Sequence, residues 1–200
     1  MVTNEAIYWY VLFVQTGAEE RLVEQLKDKL SCENSIPFVP RKTCVFRRQG
    51  QKSLFQKICF PGYVFIESDK PAMEFFCKVV PIIHEVNGAY RFLYYNDRSN
   101  IAMREEERIA LSRVFGKDRC IDISKGFKEG DSVEVISGPL MGQESIILRM
   151  NKGRQEATIS VAMFGTLVPV SVRLEVIEKL TPDIPDIFMR QSKYLEVVRG

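Results

Sequence analysis

The alternation of apolar and polar positions predicts a first half built from strands and helices. The run "IYWYVLFV", residues 7–14, is apolar on both faces, which predicts a central strand in a covered sheet. Thr16 and Glu19 then fit a capping box, and the helix that follows carries a single apolar stripe. The runs "FVPRKTCVF" and "SLFQKICF" predict a hairpin that bends at Gly50, and "PGYVFIES" predicts the next strand.

Further helices and then a series of short strands complete the pattern. Asp69 is placed to cap a short helix, and Gly116 is placed to end a longer one. Residues 117–126 show no periodicity and are predicted to be a linker. Five short strand-like runs with glycine-bearing turns predict a small barrel over residues 127–180. The expected fold class is therefore α+β, with a mostly antiparallel sheet in residues 7–116, the linker, the barrel and a C-terminal tail over 181–200.

Composition narrows the class of protein. The chain has 200 residues, of which 46% are hydrophobic and 27% are charged, and this balance is typical of globular domains. No apolar run approaches the roughly 20 residues that a membrane-spanning helix needs. The five cysteines are scattered and form no C-x-x-C pair, which predicts neither a zinc site nor a disulfide framework. We therefore expect a cytoplasmic protein without a metal or cofactor.

The distribution of charge is more informative than the net charge of +2. The stretch from Phe38 to Phe60 has basic residues and no acidic residue, whereas acids slightly outnumber basic residues over 127–180. A basic hairpin is suited to contact phosphate groups. The same charges are also typical of a solvated hairpin tip that resists aggregation, so both interpretations stay open.

The polar residues give little support for catalysis. His84 is the only histidine in the chain, which excludes a metal site built from several histidines. A catalytic pair of a cysteine and His84 is an alternative, but no local motif supports it. The run "REEERI", from Arg104 to Ile109, is interpreted as a solvated helix face rather than an acid–base pair. The sequence favours a binding protein over an enzyme, and it predicts no catalytic residue.

The stretch "FPGYVFI", residues 60–66, concentrates aromatic side chains in one short strand. Side chains alternate between the faces of a strand, so Tyr63 and Phe65 point one way while Val64 and Ile66 point the other. One face is expected to pack on helices. The residues alone leave open whether the other face is core or is exposed for a partner.

Several motifs together resemble the NusG family of transcription elongation factors, in the same order and spacing, over roughly residues 8 to 180. The segments "WYVLFVQTGAEERLVEQL" and "FPGYVFIE" resemble the N-terminal domain of that family. The segments "GDSVEVISGPLMGQE" and "ISVAMFGTLVPVSV" resemble its SH3-like KOW barrel. Ser145 stands where the KOW turn usually has a glycine, and Gly142 is expected to supply the missing backbone freedom. This variant resembles operon-specific paralogues such as LoaP more than the general factor.

The resemblance implies that the N-terminal domain binds the clamp helices of bacterial RNA polymerase and promotes antitermination. A helix laid against an apolar surface, with aromatic anchors supplying most of the binding energy, is a common mode of recognition. The implied polymerase-binding residues are Phe13, Phe60, Tyr63, Phe65, Glu74 and Phe75. The four rings Phe13, Phe60, Tyr63 and Phe65 are expected to form one exposed patch.

The resemblance also implies nucleic-acid and protein partners. Specialised members approach the non-template DNA or bind a hairpin in the leader RNA, and the candidate phosphate contacts are Arg47, Arg48, Lys52, Arg149, Lys152, Arg154 and Arg173. Phe164 matches a phenylalanine through which the barrel of the general factor engages a ribosomal protein or Rho. A monomer that does not bind membranes is expected. The alternative is an RNA- or ribosome-binding KOW protein that makes no polymerase contact.

Overall fold

A computed structural model describes residues 6–48, 51–129 and 132–178, so the predicted tail and the bend at Gly50 lie outside the described residues. The helices are α1 (Glu19–Leu30), α2 (Ala72–Lys78), α3 (Val80–His84) and α4 (Glu105–Phe115). The strands are β1 (Tyr8–Val14), β2 (Ser35–Phe38), β3 (Arg41–Arg48), β4 (Gln51–Ile58), β5 (Tyr63–Ser68), β6 (Ala89–Phe92), β7 (Cys120–Ile121), β8 (Ser124–Glu129), β9 (Ser132–Ser137), β10 (Ile147–Asn151), β11 (Glu156–Met163) and β12 (Thr166–Glu178). None of the helices in these ranges is long and apolar enough to cross a membrane.

The first domain is built on an antiparallel sheet with the strand order β2-β5-β1-β6. Strand β1 lies inside this sheet between β5 and β6, which explains why it is apolar on both faces. Its Leu12 pairs with Val64 of β5, and both side chains belong to the core formed with α1, α2 and α3. The prediction of a central first strand is confirmed.

The opposite face of the same sheet has its own core. Trp9 of β1 and Phe65 of β5 lie on this face with ring centroids 6.0 Å apart. Phe115 from the last turn of α4 packs against both rings, with centroid distances of 6.0 and 6.1 Å. Helix α4 therefore covers part of the face that the sequence left unassigned.

The predicted capping box at the start of α1 is wrong. The helix begins after Ala18, which makes no side-chain capping hydrogen bond. The carboxylate of Glu19, only 2% exposed, instead accepts hydrogen bonds from Gly17 N at 2.8 Å and from Gly62 N at 2.6 Å. Glu19 thus ties the start of α1 to the turn that precedes β5, an arrangement that local spacing does not reveal.

Of the two other predicted helix boundaries, the cap at Asp69 is wrong and the end at Gly116 is confirmed. Helix α2 begins after Pro71, and Asp69 does not cap it. The Asp69 carboxylate instead accepts a hydrogen bond from Asn34 at 3.2 Å, which leads the causes that hold the pKa of this carboxyl below its usual range. Helix α4 ends at Gly116, whose φ of +64° suits glycine, as predicted.

The segment predicted as a linker contains strand structure. Strands β3 and β4 form the expected hairpin, and β7 from the linker pairs in parallel with the start of β3. Strand β8 also begins inside this segment, at Ser124. The sequence did not reveal β7, because a strand of only 2 residues is too short to show an alternation of apolar and polar positions.

The second domain is a five-stranded sheet with the order β10-β11-β12-β8-β9. The predicted run "TLVPVSVR" and the described part of "EVIEK", residues 175–178, lie in one continuous strand of 13 residues, β12. The fifth strand is β8, which pairs in parallel with the end of β12. The mixed α+β class is confirmed, with a barrel-type β domain after the α/β sandwich.

Candidate functional site

Three aromatic side chains form a partly exposed cluster at one end of the N-terminal sheet. Phe13 of β1 and Tyr63 of β5 are cross-strand partners, and their ring centroids lie 5.6 Å apart. Tyr90 of the edge strand β6 is 58% exposed, with its ring 5.5 Å from that of Phe13. Phe13 and Tyr63 are each half-buried. We call Phe13, Tyr63 and Tyr90 the aromatic rim.

The turn before β5 fixes the position of Tyr63. Gly62 has a φ of +85°, and a Cβ there would lie 3.2 Å from Thr16 Oγ1 and 3.6 Å from the Phe13 ring. Its carbonyl accepts a hydrogen bond of 2.8 Å from Val14 N, while its amide donates to Glu19. Glycine is required here for both conformation and space, and hydrogen bonds at both its amide and its carbonyl hold the turn beside the rim.

The expectation that all four predicted rings form one exposed patch is wrong. Phe60 is 4% exposed and Phe65 is fully buried, because both pack against Phe115 of α4. Their ring centroids are 5.8 Å apart, so they form a second row of the same face. Only Phe13 and Tyr63 of the predicted set keep part of their surface in solvent.

The two predicted contacts on α2 also differ from each other. Phe75 is fully buried and stacks on Tyr10 at 3.6 Å, so it belongs to the core and not to a binding surface. Glu74 is exposed and pairs with Lys78 one turn later, at 2.8 Å. The neighbouring Phe76 is 49% exposed. The exposed aromatic residue on this helix is therefore Phe76.

The barrel is held against the N-terminal domain through a buried carboxylate. Glu107 of α4 is 8% exposed and accepts hydrogen bonds from Phe164 N at 2.9 Å and Gly165 N at 2.8 Å. It also accepts one from the Tyr95 hydroxyl at 2.6 Å, and the rings of Tyr95 and Phe164 lie 4.9 Å apart. We call this arrangement the Glu107 contact. Phe164, predicted to bind a partner, is engaged within the chain.

The environment of Tyr95 strengthens the Glu107 contact. Burial, followed by the hydrogen bond to Glu107, raises the pKa of Tyr95 to about 12. The Arg104 guanidinium lies 4.4 Å from the centre of the Tyr95 ring, a cation–π arrangement. The raised pKa means that the hydroxyl keeps its proton, and with it the hydrogen bond to Glu107, above the ordinary tyrosine pKa of 10.0.

Glu107 was missed by the sequence interpretation of "REEERI" as a solvated helix face. Its neighbours Glu105 and Glu106 are exposed, as expected for such a face. Glu107 instead precedes the buried Leu111 and Val114 by four and seven positions, which places it on the apolar stripe of α4. That spacing was the available signal.

The basic hairpin is only partly available to a ligand. Arg48, at the end of β3, is exposed, whereas the side chain of Arg47 lies outside the described residues. Lys52 forms an ion pair with Glu175 of the barrel at 3.7 Å, and Lys42 donates to the Ser171 carbonyl at 2.7 Å. Two cations of the hairpin, Lys42 and Lys52, are thus bound to the barrel.

The barrel cations also divide into two groups. Arg149, Lys152 and Arg154 are exposed near the turn between β10 and β11. Arg173 is not available, because its side chain is 10% exposed and donates to the Arg154 carbonyl at 2.7 Å and to Glu175 at 3.5 Å. The prediction of Arg173 as a phosphate contact is wrong for this conformation.

The structure gives no support to a cysteine–histidine pair. His84 lines a groove of about 470 Å³ beside Tyr90 and Arg91, and no cysteine is among the described residues that line it. Burial raises the pKa of the Cys59 thiol to about 12, which makes it a poor nucleophile. Within the ranges that the structure describes, no group of three or more metal-ligating side chains is found.

The family model and the relatives that match this chain all carry the name NusG. A family model described as "Transcription termination factor nusG" matches residues 7–112. The chain is 26% identical over 175 residues to the transcription termination/antitermination protein NusG of Thermus thermophilus, covering 84% of this chain and 95% of the relative. It is 25% identical over 182 residues to the protein of the same name from Treponema pallidum, covering 86% and 98%.

A solved structure shows a weaker likeness. It is described as "Domain interaction in Thermotoga maritima NusG" and is 22% identical in sequence. The match covers 84% of this chain and 94% of that one, with a TM-score of 0.48.

Proposed function

Because this chain belongs to the NusG family of transcription termination and antitermination factors, we propose that it binds bacterial RNA polymerase through the aromatic rim. Proteins of this family are transcription factors and not enzymes. We propose further that the chain acts in the cytoplasm as an elongation factor that promotes antitermination at particular operons. Recognition of a nucleic-acid element would select those operons.

The aromatic rim is the observation that carries the proposal. Tyr90 is exposed over 58% of its surface, and Phe13 and Tyr63 lie beside it. Tyrosines present a large apolar ring with a polar tip, which is why they are common anchors in interfaces. A helix of the polymerase clamp laid across these rings would bury them without any change in the sheet.

The buried second row supports this proposal in a different way from the one first expected. Phe60 and Phe65 make no exposed surface, but they pack behind Tyr63 and hold its strand in place. A rigid anchor loses little conformational entropy when it binds. In this account Phe60 and Phe65 position the docking surface and do not touch the polymerase.

The barrel is proposed to select the second partner. Phe164 can reach a ribosomal protein or Rho only after the Glu107 contact opens, because the Phe164 amide is bound to Glu107 in this conformation. Arg149 and Arg154 are exposed on the barrel surface in the observed conformation, so RNA can reach them without that opening. A leader RNA hairpin is therefore the partner that the observed conformation favours.

An in vitro transcription assay across a terminator tests the proposal. Purified bacterial RNA polymerase would transcribe the template with the wild-type chain or with a Tyr63→Ala, Tyr90→Ala double variant. We expect read-through to rise with the wild type and to return to the basal level with the double variant. Leu148→Ala is the matched control, because Leu148 is 63% exposed but lies in the barrel. Equal read-through by the wild type and the double variant would exclude the aromatic rim as the polymerase-binding surface.

The exposed cations of the β10–β11 turn favour one other function, an RNA- or ribosome-binding protein without polymerase contact. The two functions separate in a pull-down of the full chain with core RNA polymerase in the absence of RNA. The alternative predicts no retention of polymerase on the chain. The proposed function predicts retention that the Tyr63→Ala, Tyr90→Ala variant loses.

A further inference from the structure

One face of the β3–β4 hairpin carries two aromatic rings that keep a large part of their surface exposed. Phe46 of β3 is 55% exposed and Phe55 of β4 is 38% exposed. Phe46 pairs with Ser53, two residues before Phe55, so the two phenylalanines are diagonal neighbours. Diagonal neighbours share one face of a hairpin, where they are about 7–8 Å apart. The rings therefore lie side by side on an open surface.

Cations flank the two rings on that face. Arg48 follows Phe46 by two positions towards the tip, and Lys57 follows Phe55 by two positions towards the base. The Lys57 ammonium lies 5.4 Å from the centre of the Phe55 ring. Neither side chain has an ion pair among the described residues. The sequence has no acidic residue between Glu33 and Glu67.

A solvated hairpin tip explains the charges but not the rings. Strand β4 pairs only with β3 in the described part of the sheet, so it is an edge strand. Basic side chains on an edge discourage pairing with another chain, whereas large exposed aromatics favour aggregation. Their presence on a face rich in positive charge indicates a ligand that needs both kinds of contact.

We propose that this face is a stacking platform for an unpaired strand of nucleic acid. Bases would stack on Phe46 and Phe55 while Arg48 and Lys57 contact the phosphates on either side. Aromatic rings next to cations are the usual means of binding single strands without reading their sequence. Stacking on a protein ring requires a free base face, which a duplex does not offer. The inference rests on the proposed function for its setting, since a transcribing polymerase exposes unpaired DNA and RNA.

The platform differs from the basic site predicted at Arg47, Arg48 and Lys52. Lys52 projects from the other face of the hairpin and is paired with Glu175, so it is not part of the platform. Lys42 shares the platform face, but its ammonium is bound to the Ser171 carbonyl of the barrel. The barrel therefore contacts the end of the platform at Lys42, while Phe46 and Phe55 stay exposed.

Fluorescence anisotropy on the full chain tests the platform. The probes are a labelled oligodeoxythymidine and a labelled oligouridine of about 15 nucleotides, with a duplex of equal length and a poly-glutamate peptide for comparison. We expect the single strands to bind more tightly than the duplex, and the acidic peptide to bind weakly. A preference between the DNA and the RNA probe would identify which strand the platform serves. Tighter binding of the duplex or of the peptide would overturn the proposal.

Substitutions separate stacking from charge. Phe46→Ala and Phe55→Ala are each expected to weaken single-strand binding about fivefold or more, while Phe55→Trp retains it. Lys57→Gln is expected to reduce the slope of log affinity against log salt by about 0.7, the value for one phosphate contact on a single strand. Leu54→Ala is the matched control, because Leu54 is 65% exposed on the opposite face of the same hairpin. Equal losses for Leu54→Ala and the phenylalanine variants would contradict the platform.

The same variants keep this inference separate from the polymerase proposal. Phe46→Ala is expected to leave the affinity for core polymerase unchanged in the absence of nucleic acid, and Tyr63→Ala is expected to leave oligonucleotide binding unchanged. Loss of polymerase binding without loss of oligonucleotide binding concerns the rim alone. Because both platform rings are exposed, unfolding temperatures close to the wild type are expected and show that each variant is folded.

Discussion

Tyr63 and Phe65 lie two positions apart on the same face of one strand, yet they have different surroundings. Phe65 is fully buried beneath Phe115 of α4, whereas Tyr63 is half-buried at the end of the sheet. Alternation along a strand determines which face a side chain occupies. It does not determine whether another element covers that position. Phe60 and Phe65 form a supporting row because Phe115, in the last turn of α4, packs on both of them, whereas Tyr63 belongs to the exposed aromatic rim.

The largest expected effect comes from breaking the supporting row. Phe65→Ala would leave a cavity among Trp9, Phe38 and Phe115, and we expect the free energy of unfolding to fall by about 3–5 kcal/mol. Urea denaturation followed by tryptophan fluorescence would measure the loss, since Trp9 reports on this core. A loss below about 1 kcal/mol would mean that Phe65 is a surface residue.

The second largest effect is expected from weakening the Glu107 contact between the barrel and α4, a change that alters neither Tyr63 nor Phe65. Glu107→Ala removes the acceptor of three hydrogen bonds, and we expect the domain contact to weaken by up to about 3 kcal/mol. Small-angle scattering should then show a larger radius of gyration, while Phe65 stays buried. Glu106→Ala is the control, because Glu106 is exposed on the same helix. An unchanged radius for Glu107→Ala would show that other contacts hold the barrel.

The third effect separates binding from stability. Tyr63→Ala is expected to weaken the affinity for core polymerase by about 2 kcal/mol, roughly thirtyfold, because it removes an interface anchor. Its effect on the free energy of unfolding should be much smaller than that of Phe65→Ala, since Tyr63 keeps part of its surface in solvent. Titration of labelled chain with polymerase and urea denaturation measure the two quantities. Equal destabilisation by both variants would remove the distinction between rim and supporting row.

The smallest effect is a dependence on pH. The pKa of Tyr95 is raised from 10.0 to about 12, so the folded chain holds this proton after the unfolded chain has released it. Its contribution to stability is therefore fully present below pH 10 and is lost as the pH rises towards 12. Tyr95→Phe should show a shallower loss over this window than the wild type. Parallel curves would mean that Tyr95 does not titrate differently on folding.

The sequence predicted elements with strong local patterns and missed contacts between distant segments. Strand β1 and the end of α4 at Gly116 were predictable because apolar runs and a glycine are local signals. The hydrogen-bond partners of Glu19 and Glu107 were not, since they lie 43 and 57 residues further along the chain, although the position of Glu107 on the apolar stripe of α4 indicated its burial. The same limit applies to the site. Periodicity placed Tyr63 and Phe65 on one face, but no local pattern showed that α4 and the barrel would cover most of it.

Photocrosslinking tests the central claim about the aromatic rim most directly. The photoreactive residue p-benzoylphenylalanine would replace Tyr90 in one protein and Leu148 in another, because both side chains are well exposed, at 58% and 63%. After irradiation with core RNA polymerase, we predict a crosslink from position 90 to the clamp helices and none from position 148. A crosslink to the clamp helices from position 148 alone, or none from either position in a complex that forms, would contradict the account.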